Sequence, residues 1–73
     1  MNLRQWIVKQ SALYKERAAF EDFSSEIKTC GLGDGVHVYE GIEKMAEEVG
    51  ADLYVNDYGY KAFSYNGVEF FQI

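Results

Sequence analysis

Cys30 and His37 are the single cysteine and the single histidine of the chain, seven positions apart across the stretch Gly31-Leu-Gly-Asp-Gly35. A thiol and an imidazole make a nucleophile and a base only in an electropositive, partly open pocket with a third group orienting the ring. The local pattern supplies neither. Phe20, Phe23, Ile27 and Cys30 recur at helical spacing, which reads Cys30 as a small buried hydrophobe. His37 alternates with Val36 and Val38 and so points away from the core as a surface histidine. One cysteine forms no internal disulfide, and with one histidine it closes no four-ligand zinc site. No catalytic residue, metal or cofactor is assigned, and the chain is read as a non-enzyme.

The three glycines at 31, 33 and 35 invite comparison with phosphate-cradling loops. The dinucleotide fingerprint needs a sixth-position glycine where Val36 stands, and the Gly-Lys-Ser/Thr of a P-loop is missing. The stretch reads as a loop. Asp52-Leu-Tyr-Val-Asn-Asp-Tyr-Gly59 is rich in oxygen but lacks the alternating acids and terminal glutamate of a calcium loop. It reads as a turn using Asn, Asp and Gly for local hydrogen bonds and positive φ.

Two other groupings suit recognition. Glu40, Glu43 and Glu47 fall within about 60° of one another on a helical wheel, opposite Ile42, Met45 and Val49. As a bland surface they are the solvated side of an amphipathic helix. With Asp34, Glu48, Asp52 and Asp57 in the same half of the chain they become a one-signed field that steers cationic partners. The second grouping is aromatic: Tyr54, Tyr58, Tyr60, Phe63, Tyr65, Phe70 and Phe71, too many for a small sheet to bury. Tyrosine beside Asn, Asp and Gly is interface chemistry, though it also decorates half-buried sheets.

The elements that must position these groups follow from periodicity. Leu3, Trp6, Ile7, Leu13, Tyr14 and Ala18 line one side of an N-terminal helix capped by Asn2. Phe20, Phe23, Ile27 and Cys30 sit on another side, which predicts a bend or break near 19–25, with a second short helix from Ser24-Ser25 ended by Gly31. An extended course over Phe23–Thr29 is the alternative. Val36–Tyr39 is a short strand, and Val38, Ile42, Met45, Ala46 and Val49 mark a middle helix ending at Gly50. Period two then takes over in Ala51–Asn56, Lys61–Tyr65 and Val68–Ile73. Asn66-Gly67 is a strong hairpin signal; it sets Tyr65 against Val68 and Phe63 against Phe70 on one side, with Ala62 against Phe71 and Tyr60 against Ile73 on the other. Both sides of that ribbon are apolar, so one packs on the helices and the other needs a cover from this chain or a partner.

The fold class is therefore α+β, a single small domain over 1–73. It has an N-terminal amphipathic helix, bent or in two pieces, a middle helix, and a C-terminal antiparallel meander of about three strands. With 73 residues and 48% hydrophobic content the chain is globular, yet a domain of this size buries only about 60% of its unfolded surface. Oligomerisation or a partner is the available staple. Residues 1–30 carry five basic and four acidic side chains, and residues 31–73 carry two basic and eight acidic, for a net charge of −5. Nucleic acid is held by Lys and Arg, which argues against direct binding. Met1–Lys9 lacks the apolar run of a secretory leader, and a cytoplasmic location is expected. Membrane attachment is not expected.

The expected function is a non-catalytic protein-binding module. Its specific form is an acidic inhibitor or decoy, a nucleic-acid mimic docking on the basic nucleic-acid surface of a nuclease or regulator through Glu40, Glu43, Glu47, Asp52, Asp57, Tyr58 and Tyr60. The alternative is a homo-oligomeric structural or regulatory protein, associating through the spare apolar sheet face or through Trp6 with Ile7.

Overall fold

The computed structural model describes residues 1–18, 21–24, 29–30 and 35–73, the pair 29–30 by its backbone. The chain runs α1 (Leu3–Glu16), β1 (Thr29–Cys30), β2 (Val36–Val38), α2 (Ile42–Val49), β3 (Tyr54–Val55), β4 (Lys61–Tyr65) and β5 (Val68–Gln72). The strands form one sheet in the order β1-β2-β5-β4-β3, with both helices packed on one face. The architecture is α+β, and β3, β4 and β5 form the C-terminal antiparallel meander.

Asn2 starts α1 as a reciprocal cap: its side chain accepts the Gln5 N–H at 2.8 Å, and its own N–H donates to the Gln5 side chain at 2.9 Å. Leu3, Trp6 and Ile7 are buried from this helix, together with Gln10 and Ser11. Trp6 and Ile7 are therefore core residues, not an association surface. α1 ends earlier than the wheel suggests. Arg17 turns left-handed (φ 57), and Ala18, beyond the helix, donates its N–H to the Leu13 carbonyl. The chain then folds back over α1, where the Trp6 indole N–H donates to the Glu21 carbonyl at 2.7 Å and Glu21 N–H donates to the Gln10 side chain at 3.0 Å. Phe23 packs on Trp6 with ring centroids 5.9 Å apart.

Of the second short helix expected from Ser24-Ser25 to Gly31, residues 25–28 lie outside the described residues. Thr29 and Cys30 are extended and pair antiparallel with Val38 and His37, because hydrogen bonding to a neighbouring strand overrides a local 3,4,3 spacing. Phe20, Ile27 and residues 31–34, with Asp34 and most of the glycine loop, lie outside the described residues, as does the Cys30 side chain.

The sheet's helix-facing side carries Val36, Val38, Phe63, Val68 and Phe70, which meet Ile42, Met45 and Ala46 of α2 and the buried side of α1. Phe63 and Phe70 are cross-strand partners stacked at 5.0 Å. The hairpin register is the expected one, Tyr65 against Val68 and Ala62 against Phe71, with Asn66 (φ 53) and Gly67 (φ 75) supplying the two positive φ values of the turn. β2 enters the sheet parallel to β5, Val36 beside Phe70. Gly35 makes that approach possible: its φ is +146, and a Cβ there would run into the Glu69 carbonyl oxygen.

The run expected as a strand over 51–56 is shorter. Gly50 and Ala51 still close α2, donating to Glu47 and Ala46 carbonyls, and only Tyr54 and Val55 pair with β4. No helix among the described residues is long and apolar enough to cross a membrane.

Candidate functional site

The middle helix presents Glu43, Lys44, Glu47 and Glu48 to solvent and buries Ile42, Met45 and Ala46. Glu40 is not on it. The chain must turn from β2 into α2, and Gly41 (φ 92) makes that turn, which leaves Glu40 in the bend before the first helical residue. The Ile42 N–H at the helix start is taken by the Gln72 side chain of β5 at 3.2 Å. The expected three-glutamate row is thus two residues on the helix, Glu43 and Glu47. Glu43 is also engaged, 2.6 Å from Lys61 of β4. That ammonium, by hydrogen bond first and charge second, holds the Glu43 carboxyl below its ordinary value. At the other end of α2, Arg4 donates to the Glu48 carbonyl at 3.0 Å, a cation on the last turn where the helix dipole favours one. An open depression of about 400 Å³ lies between Gly41, Glu43, Glu47 and Gln72.

A second region is built around Asn56. Its side-chain oxygen accepts the N–H groups of Tyr58 and Tyr60, each at 3.0 Å, and its backbone exchanges bonds with Tyr60 (2.9 Å) and Gly59 (3.0 Å). This is the Asn, Asp and Gly turn chemistry expected of the segment. The Asn56 amide also donates to one Glu69 oxygen at 3.1 Å, while the Tyr54 hydroxyl donates to the other at 2.6 Å and lies 2.9 Å from Ser64 Oγ. Burial and the adjacent Glu69 carboxylate raise the Tyr54 phenol above its ordinary value, so it stays a donor. One carboxylate on β5 therefore clamps β3 and the following turn across β4.

Held by that clamp, Val55 (68% exposed), Tyr58 (66%), Leu53 and Tyr60 stand open to solvent with Asp52 and Asp57 beside them. A depression of about 200 Å³ is lined by Tyr54, Val55, Asn56, Asp57, Tyr58 and Glu69. All seven residues expected at the interface, Glu40, Glu43, Glu47, Asp52, Asp57, Tyr58 and Tyr60, are exposed. The fold gathers Asp52, Asp57, Tyr58 and Tyr60 along one hairpin, whereas Glu43 and Glu47 stand on α2 and Glu40 lies before it. The sequence pointed to Asn56 as a turn residue but not to Glu69 and Ser64 as the support behind it. Ser64 opposite Glu69 follows from the Asn66-Gly67 register, but the reach of Tyr54 and Asn56 to Glu69 depends on how β3 docks on β4.

The sheet side away from the helices carries His37 and Phe71, 4.2 Å apart, with Tyr60 stacked on Phe71 at 5.9 Å. His37 points away from the main core as expected, but it is half-buried rather than on the open surface. Ala62 (0% exposed) and Phe71 (2%) are buried within the chain, so this face is less available than its composition implies. Cys30 and His37 are neighbours by backbone register. Among the described residues no group of three or more His, Cys, Asp or Glu side chains is placed to hold a metal ion. Comparison with protein-family models, curated proteins and solved structures finds no match.

Proposed function

We propose that this chain is a non-catalytic protein-binding module that docks on a basic surface of another protein through the hairpin of residues 52–60, with the exposed acids of α2 extending the contact. The observation that carries the reading is the clamp: Tyr54, Asn56 and Glu69 hold a turn whose tyrosines are exposed and whose flanks are aspartates. Tyrosines on a backbone fixed by Asn56 supply contact area at low entropic cost, and one-signed charge supplies steering. In its specific form the partner is a nuclease or regulator and the docked surface is its nucleic-acid groove, which makes the chain an inhibitor or decoy. Symmetric self-association has less to draw on, because Trp6, Ile7, Ala62 and Phe71 are already buried in the monomer.

Affinity capture on the immobilised chain, in low and high salt, tests the reading against two variants, D52K/D57K and Y58A/Y60A. A basic protein retained in low salt by the unaltered chain, released by high salt and lost by both variants, supports it. Retention that survives both variants in low salt removes it. For the inhibitor form, the captured protein must lose nucleic-acid binding as the chain is added.

A further inference from the structure

The β3 edge offers a specific way of holding such a partner. β3 ends the sheet, with β4 on one side and no strand on the other among the described residues. Antiparallel pairs alternate between bonded and non-bonded, and the Asn56 N–H to Tyr60 carbonyl bond fixes the phase. Tyr54 and Asn56 therefore turn their backbone groups toward β4, and Leu53 and Val55 turn theirs outward. No described residue takes those outward bonds. Natural sheet edges are blunted by short strands, charge, proline or bulges; this one is short, only Tyr54 and Val55 pairing with β4, but Leu53-Tyr54-Val55 has no lysine or proline and all three side chains are exposed.

We propose that the β3 edge is a docking site for an extended basic segment of a partner protein, which adds to the sheet as a sixth strand. This rests on the basic-partner reading above and gives it a geometry. Charge selects the occupant. Asp52 and Asp57 flank the strand, Glu69 stands behind Tyr54, and the lysine opposite Val55, Lys61, is already held by Glu43. A second copy paired on this edge would bring two Asp52 and two Asp57 carboxylates onto one strip, and like charges side by side oppose pairing. The pleat also sets the pattern of the incoming strand. Leu53 and Val55 present apolar side chains on one side of the edge, and Asp52 with the Tyr54 ring lies on the other. Apolar residues alternating with Lys or Arg meet both, the cations reaching Asp52 and the Tyr54 face.

The test is an NMR titration of the ¹⁵N-labelled full chain with a ten-residue peptide alternating lysine with valine or threonine, beside a glutamate-for-lysine control. The expected result is slowed exchange and shifted amides at Leu53 and Val55, abolished by high salt and missing with the control. V55P removes an outward donor and should weaken the peptide about tenfold, the effect of one lost hydrogen bond plus a clash. V55K restores an edge guard and should weaken it comparably, with the Asn56 and Tyr58 amides reporting that the hairpin is intact. D52N and D57N should each cost about threefold. Salt-sensitive binding that maps to Glu43 and Glu47 and ignores V55P and V55K overturns the edge site while leaving the basic-partner reading in place. No binding of the basic peptide overturns the edge site, and the salt-dependent capture with D52K/D57K and Y58A/Y60A then decides the basic-partner reading by itself. Concentration-dependent shifts at Leu53 and Val55 without peptide would assign the edge to a second copy instead.

Discussion

Aromatic residues are used in two opposite ways in the helix-facing core of this sheet and at its β3 edge. On the helix side Phe63 and Phe70 stack in contact with the residues of both helices and are fully buried. At the far edge Tyr54, Tyr58 and Tyr60 remain exposed and are held by hydrogen bonds to Asn56, Ser64 and Glu69. The first set makes the fold and the second is positioned by it. Burial stabilises in proportion to apolar area, whereas a hydrogen-bonded surface cluster contributes less and mainly fixes geometry. Variants should separate these two roles.

The largest effect is expected in the core. F70A leaves a cavity between the helices and the sheet and should cost about 3–5 kcal/mol, enough to abolish the cooperative transition of so small a domain in denaturant melts. Next is G35A, at the seam where β2 meets β5: a Cβ against the Glu69 carbonyl with φ at +146 should cost about 2 kcal/mol or more and speed amide exchange in β2 first. N56A sharpens the contrast. It removes three side-chain bonds and should cost about 1–2 kcal/mol, with faster exchange at Tyr58 and Tyr60 and little change at Phe63 or Phe70. If N56A instead loosened the whole sheet, the edge would be part of the core and the comparison would fail.

The smallest effect concerns charge. The Glu43 carboxyl is depressed by Lys61, so the pair's contribution is complete above the ordinary glutamate range and is lost as pH falls through the lowered value. K61M should return the Glu43 titration, followed by carboxyl-carbon NMR, toward the ordinary range with barely any change in melting, since both groups are exposed.

Much of the local structure was legible in the residues. The Asn2 start of α1, the Gly50 end of α2 and the Asn66-Gly67 register depend on caps, turns and periods that act within a few residues, and each is found where the pattern puts it. Local pattern misled where a neighbour in space decided the outcome. Helical spacing toward Cys30 yielded to pairing with β2, and the glutamate row lost Glu40 because the β2-to-α2 turn had to be made at Gly41. The Tyr54–Asn56–Glu69 clamp spans residues up to fifteen apart and leaves no periodic trace.

Residue order alone set the first and middle helices, the register of the last hairpin, and the gathering of acids in the second half of the chain. Those follow from short-range sterics, capping and composition. Packing in three dimensions decided that β2 lies parallel to β5, that Glu43 is spent on Lys61, and that β3 ends the sheet with no further strand beside it among the described residues. The reason is physical: strand order and cross-strand partners are chosen by burying one continuous apolar layer against both helices, and that choice couples residues far apart along the chain.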